Sequence, residues 1–327
     1  MTALLFPGQG TQRIGMGLVF DRGFAAEAGE VAELAAQIDP ELSVLIRRGP
    51  ESELAVTSNA QLAVTMASLK ALAIVDAADV RHSVVAGHSV GLLPALVAAR
   101  VMDARLALGV ARVRGRIMGA LPKGGAMASV IGLTPEVLHV IAKDASRVAG
   151  LSVVVGLVNG PLNGVLSGHV EAVAVACDSS AARGGRTRRL AVSHAFHSPL
   201  MAPAVNQWND FLETIQMHEP SVPIVSDMTG VPLTTASELR DLLRAQFTQT
   251  VRWDLVCERI VAMNQVTAIE TGDSRILRQF GRAYPSLQVL SMADVSTLAM
   301  LRSRKELPAN RLGQKSQTSE LYVGQGL

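Results

Sequence analysis

The sequence predicts an α/β protein: a large domain with a mostly parallel sheet, interrupted by a small inserted domain of ferredoxin-like order. Three observations carry this. Short apolar, strand-like runs alternate with segments of helical period along most of the chain. Residues 123–192 read βαββαβ, the split arrangement of the ferredoxin-like motif. The helical pattern of the first part then resumes. With 327 residues, 49% apolar and 18% charged, the chain is globular in composition and long enough for two domains. Residues 1–122 and 193–304 are expected to form the large domain and 123–192 the small one. The polar, aperiodic stretch 305–327 is expected to be a loosely ordered tail.

The elements follow in order. "ALLF" reads as a short strand running into the glycine loop "PGQG", and residues 24–38 read as a helix. "SNAQLAVTMASLKALAIV" is a second helix, with Ser58 as its N-cap. A buried strand "SVVAG" precedes a helix from about Val90 to Val101, and Asp103 caps the helix carrying "LALGVARVRGRIM". In the insert, "AMASVIGL" is a strand. Thr134 and Pro135 open a helix as N-cap and first residue. "SVVVGLV" and "GVLSG" are strands around the turn "NGPLNG", "HVEAVAVACDSSAAR" is a helix and "RTRRLAVS" a strand. Later strands are "VPIVS", "VTAIE" and "LQVLS", separated by helices, which suits a parallel sheet covered on both faces.

Several function classes lose support from composition. Net charge is +2, so neither nucleic acid nor a membrane surface is an expected partner; the basic cluster "RGGRTRR", Arg183 to Arg189, is short. Cys177 and Cys257 stand far apart, without disulfide or metal-site spacing, as suits a reducing cytosol. The start "MTALLFPGQG" lacks the parts of a signal peptide, and no apolar run approaches the ~18 residues of a membrane span. A cytoplasmic protein without a metal or cofactor is expected.

The stretch "VVAGHSVGLL" holds the chemistry. Gly87-His88-Ser89-Val90-Gly91 fits the G-x-S-x-G elbow and sits where that motif requires, after a strand and before a helix. An ordinary turn capped by Ser89 is the competing reading; the strand–elbow–helix context favours a nucleophile. The amide of Val90, at a helix start, then points toward an oxyanion. A serine nucleophile needs a base. His82, His139, His169 and His218 lie in segments that read as helix faces or starts, and His88 points away off the tight turn. "VSHAFHSPLM" leaves His194 and His197, both where a strand ends before a helix at the C-terminal edge of the sheet. Between Ser89 and His197, the aspartates Asp103, Asp144 and Asp178 read as lying on or beside helices, so a Ser-His dyad is expected rather than a triad. The loop "GQGTQRIG" lacks G-x-G-x-x-G spacing, which argues against a dinucleotide site.

"FPGQGTQ", "GHSVG", "RVRGRIM", "VNGPLNGVLSG", "VSHAFHSPLM" and "QFTQTVRW" occur in the order and spacing of malonyl-CoA:acyl carrier protein acyltransferases, which the chain resembles over about residues 3–292. The resemblance implies an α/β-hydrolase-like large domain with a ferredoxin-like insert. By position, Ser89 resembles the nucleophile and His197 the base, and Arg114 resembles the arginine that pairs with the malonyl carboxylate. Gln9 resembles the residue whose amide joins that of Val90 in the oxyanion hole. Gln246 resembles the residue whose carbonyl steadies the histidine. His88, His194 and Phe196 are placed with Arg114 around the acyl pocket. "HAFH" at 194–197 and valine in the elbow resemble malonyl-selective members, Phe196 narrowing the pocket against an extra methyl. Such a difference is worth only ~1–3 kcal/mol in an apolar pocket. The implied substrate is malonyl-CoA, with no cofactor, and the implied partner an acidic acyl carrier protein, which "RGGRTRR" would help to dock. Leu92, "QTVRW" and "GDS" at 272–274 depart from common family patterns; fatty-acid and polyketide biosynthesis both stay open, and the departures favour a pathway-specific polyketide enzyme. A serine hydrolase or thioesterase, a malonate decarboxylase transacylase subunit and a non-catalytic docking subunit are the alternatives.

Overall fold

A computed structural model describes residues 2–192 and 194–306. Eleven strands are described: β1 (Thr2–Phe6), β2 (His82–Gly87), β3 (Gly125–Ile131), β4 (Val153–Gly160), β5 (Asn163–His169), β6 (Arg186–Arg189), β7 (Ile224–Val225), β8 (Pro232–Leu233), β9 (Val251–Arg252), β10 (Thr267–Glu270) and β11 (Gln288–Ser291). They form two sheets, ordered β11-β10-β1-β2-β7-β8 and β6-β3-β5-β4-β9.

The large sheet is parallel from β11 to β7 and antiparallel only at β7–β8. Its centre is β1, whose Ala3, Leu4, Leu5 and Phe6 are fully buried, as a strand covered on both faces must be. The C-terminal ends of β1 and β2 lie side by side, which puts the "PGQG" loop next to the Ser89 turn. Two glycines fix that contact. A Cβ on Gly91 would lie 2.2 Å from the Phe6 carbonyl oxygen, and one on Gly87 would lie 2.2 Å from the Leu92 amide nitrogen. Neither position has room for a side chain, so the motif's glycines are required by packing.

The helix Thr57–Ala77 runs through the core between Ala25–Ile38 and Ala104–Gly119. Its 21 residues and mean hydropathy of 1.4 make it long and apolar enough to cross a membrane, against the expectation from apolar runs alone. Its burial inside the protein, with Lys70 paired to Asp21 at 2.6 Å, makes it a core helix. The N-cap is Val56 rather than Ser58. Ser58 instead meets the neighbouring helix, where a Cβ on Gly115 would come 2.6 Å from its Cα. The other two caps hold: Asp103 accepts from the Leu106 amide at 2.7 Å, and Thr134 accepts from Val137 ahead of Pro135.

In the small domain β3, β4, β5 and β6 form the antiparallel order of the split βαββαβ motif over a separate apolar core that includes Val130, Leu138, Ile141 and Leu166. β9 pairs in parallel with β4, Val251 opposite Leu157, so the sheet takes a fifth strand from a later segment and ties the domains together. Two predicted strands shrink: "RTRRLAVS" to Arg186–Arg189, and "VPIVS" to Ile224–Val225. The last helix, Val295–Glu306, reaches into the expected tail, and Lys305 pairs with Glu27. Residues 307–327 lie outside the described residues.

Candidate active site

Ser89 sits in the turn Ser89–Gly91 with φ +54°, a left-handed conformation that L-residues rarely adopt. Tertiary contacts hold this strain. The His88 amide donates to the Phe6 carbonyl at 2.9 Å, and the Ser89 amide donates to Asp227 Oδ2 at 2.9 Å. His197 is a second non-glycine residue at positive φ, +58°. Strained backbone at two residues that face each other is characteristic of functional sites.

Ser89 Oγ lies 2.8 Å from His197 Nε2, across 108 residues of sequence. The other ring nitrogen, Nδ1, is 3.2 Å from the Gln249 carbonyl oxygen. A carbonyl only accepts, so Nδ1 carries the proton and Nε2 is left to accept from the serine. Burial, with Arg114 and His88 nearby, pushes the His197 pKa down to about 3, against the pull of the Gln249 and Gln246 carbonyls. The imidazole is therefore neutral at neutral pH and free to take a proton. Sequence reasoning gave the steadying carbonyl to Gln246. The hydrogen bond goes to Gln249, while the Gln246 carbonyl adds a weaker pull.

Arg114, 1% exposed on the helix Ala104–Gly119, is the third member. Its Nη2 donates to Ser89 Oγ at 3.3 Å and to Gln246 Oε1 at 3.2 Å, and its Nη1 donates to Gln61 Oε1 at 2.9 Å. Burial lowers its pKa to about 10, partly opposed by Asp227, so it stays charged at neutral pH. The Ser89 hydroxyl thus stands between a base that accepts its proton and a cation that favours its anion.

Of the remaining predicted residues, Gln9 and Val90 adjoin the serine turn. Gly8 packs on the elbow, where a Cβ would lie 2.5 Å from the His88 carbonyl oxygen, so Gln9 follows at the edge of the serine turn. The Gln9 side chain accepts from Gln61 Nε2 at 3.3 Å. Val90 is buried in the first turn of the helix start, the place where backbone N–H groups lack intrahelical partners. His88 Nε2 meets Asn159 Oδ1 at 3.0 Å, and its ring packs against Trp253 and Phe280. His194 turns to the Leu121 carbonyl at 2.9 Å and stacks on Phe196 at 5.9 Å, leaving His197 as the histidine at Ser89.

Asp227 and Gln61 went unseen in the sequence. Asp227 lies beyond His197 in sequence, outside the span where a Ser…Asp…His triad would place its acid, and it binds the nucleophile's amide. Gln61 sits in what reads as an ordinary core helix, and only the fold brings it to Arg114. Among the described residues no group of three or more His, Cys, Asp or Glu side chains is arranged to hold a metal ion.

A serine raised on an elbow over a parallel sheet, within hydrogen-bond reach of a neutral histidine and faced by a buried cation, is an arrangement that suits nucleophilic chemistry on acyl groups. Residues 3–306 match the acyl transferase domain family, and the chain belongs to it. It is 30% identical over 302 residues to the malonyl CoA-acyl carrier protein transacylase of Bacillus subtilis, covering 91% of this chain and 95% of that protein. A polyketide synthase of Streptomyces halstedii is 37% identical over 230 residues, 69% of this chain but only 4% of that much longer protein. Among solved structures, a malonyl-transacylase in complex with its type II polyketide acyl-carrier protein superposes with a TM-score of 0.87 at 31% identity, covering 92% of this chain and 98% of that one. The acyl carrier protein S-malonyltransferase of Vibrio cholerae gives a TM-score of 0.86 at 29% identity, covering 92% of this chain and 99% of that one.

Proposed function

We propose that this enzyme moves a malonyl group from coenzyme A to the phosphopantetheine thiol of an acyl carrier protein, through a malonyl ester on Ser89. The 2.8 Å contact between Ser89 Oγ and His197 Nε2 is the observation that carries the reading. His197 takes the hydroxyl proton as Oγ attacks the thioester carbonyl. The amides of Gln9 and Val90 hold the oxyanion, and the C–S bond breaks with the proton returned to the coenzyme A thiolate. The carrier thiol then gives its proton to His197 and attacks the ester; the C–O bond breaks and His197 returns the proton to Ser89 Oγ. Arg114 supports malonyl over uncharged acyl groups, because a guanidinium matches a planar carboxylate with paired hydrogen bonds. Phe196, next to His197 and 6% exposed, disfavours a branched acyl chain. Coenzyme A enters as substrate, no cofactor is needed, and the cytoplasm supplies both reactants.

Intact-mass measurement after incubation with malonyl-CoA and no acceptor tests this. A persistent adduct of one malonyl group supports transfer; free malonate released catalytically, with no adduct, identifies a hydrolase.

The carrier-facing role of the arginine cluster is also proposed. β6 is an edge strand, and Arg186, Thr187, Arg188 and Arg189 are all exposed. Reversing charge in Arg186→Glu/Arg189→Glu is expected to slow transfer to carrier protein about tenfold at low salt while self-acylation from malonyl-CoA is unchanged. Equal slowing of both half-reactions contradicts a docking role. A pathway-specific polyketide carrier is the favoured acceptor, given the departures at Leu92 and 272–274, and rates with a panel of carrier proteins identify it.

A further inference from the structure

We propose that Asp227 is a positioning residue that clamps the nucleophile turn and serves as the internal counter-anion of Arg114, so that binding of the substrate's carboxylate is coupled to uptake of one proton. This rests on the malonyl-transfer reading and adds a role for a residue outside the serine–histidine pair. Asp227 follows β7 and is 1% exposed. Its own carbonyl is fixed by the Arg252 amide at 2.6 Å. Oδ2 accepts from the Ser89 amide at 2.9 Å and from Gln246 Nε2 at 3.1 Å. The same Nε2 donates to the Ser89 carbonyl at 3.1 Å. Both backbone groups of the strained Ser89 are thus held by side chains from late segments of the chain.

The same bonds link the two buried charges. Gln246 lies between carboxylate and guanidinium, its Nε2 toward Asp227 and its Oε1 toward Arg114 at 3.2 Å. Only this orientation of the amide suits an acceptor on one side and a donor on the other. Of the groups packed around Asp227, Arg114 on Ala104–Gly119 supplies the cation. His88 on the elbow and His197 both have lowered pKa values and are neutral. On β9, Arg252 offers its amide while its guanidinium is bound to Asp254 at 2.7 Å. One buried cation therefore balances one buried anion.

A malonyl carboxylate at Arg114 makes two anions share that cation. Asp227 is the one poised to be neutralised. Burial pushes its carboxyl up to about 6, against the Ser89 amide, Gln246 and Arg114, and Oδ1 is buried without a hydrogen-bond partner. A proton from solvent goes to Oδ1, while Oδ2 keeps its two bonds. Binding then strengthens as pH falls through the Asp227 pKa.

Asp227→Asn separates charge from geometry, because its amide oxygen can still accept from Ser89 and Gln246. The measurement is the malonyl-CoA concentration giving half-maximal self-acylation, followed by intact mass between about pH 5.5 and 8 in wild type and variant. Each unit by which the second anion raises the Asp227 pKa corresponds to about tenfold in binding. The wild-type value is therefore expected to fall at least about threefold more than the variant's as pH drops, and Asp227→Asn to bind more tightly at pH 8. Comparison with the variant cancels titration of coenzyme A itself. Asp227→Ala, which also releases the Ser89 amide, should lower kcat about 10- to 100-fold. Parallel pH profiles in wild type and Asp227→Asn, with both forming ester, overturn this proposal alone. Absence of ester in wild type at every pH overturns the transfer reading and this proposal with it.

Discussion

Ser89→Ala will carry no malonyl group after exposure to malonyl-CoA, and its transfer rate will fall by at least about 10⁴-fold. The size of the loss follows from the step removed. Without Oγ there is no ester, and the 2.8 Å contact that lets His197 act as a base has no proton to take. In the proposed roles Gln9, Val90 and Arg114 would still hold a thioester, but direct attack by the carrier thiol would have no positioned base. The fold should not suffer. Oγ makes its contacts to His197 and Arg114, while the turn is held by the Ser89 amide and carbonyl, which alanine retains. The φ of +54° strains serine and alanine alike. An unchanged melting temperature beside a lost adduct separates chemistry from misfolding. An adduct that survives the substitution places the nucleophile on another residue.

The reach of sequence reasoning here follows physical lines. The parallel sheet and the inserted antiparallel domain were legible because apolar strands and amphipathic helices alternate at a regular spacing. The elbow was legible because only glycine fits at 87 and 91, so packing leaves a trace in the letters. Caps at Asp103 and Thr134 were legible because they are local. What depends on distant segments was not. β9, two residues long, is not among the predicted strands and becomes one only beside β4. The choice of Gln249 over Gln246 as carbonyl partner turns on three residues of loop path. Asp227 leaves no trace at all, since its significance is a hydrogen bond to an amide 138 residues away. His194 and His197 were inseparable by pattern; the fold turns one to Leu121 and the other to Ser89.

Arg114→Ala is expected to lose about 10²- to 10³-fold in kcat/KM for malonyl-CoA and much less for acetyl-CoA, which loses only the cation beside the Ser89 oxygen. Removing one partner of a buried ion pair costs about 3–5 kcal/mol, because the other charge is left without compensation. Acetyl-CoA brings no carboxylate and loses nothing of this kind, so the ratio of the two substrates moves even if the pocket shifts slightly. The guanidinium also packs over Phe247, 5.5 Å from the ring centroid, so truncation opens space that a neutral acyl chain can use. The same variant has a stability signature. The folded-state pKa of Asp227 lies near 6, above its ordinary value of 3.8, so this carboxyl weakens the fold as pH rises from about 4 through 6 and that cost persists above. Arg114 is one of the groups lowering that pKa; without it the carboxyl rises further. Arg114→Ala should therefore lose more stability at pH 8 than at pH 5, read as a larger drop in the urea midpoint at the higher pH. Asp227→Asn added to Arg114→Ala removes the charge and should restore the midpoint at pH 8 while leaving malonyl selectivity lost. Equal losses for malonyl- and acetyl-CoA contradict a carboxylate-binding arginine, and a urea midpoint that falls equally at both pH values contradicts its pairing with Asp227.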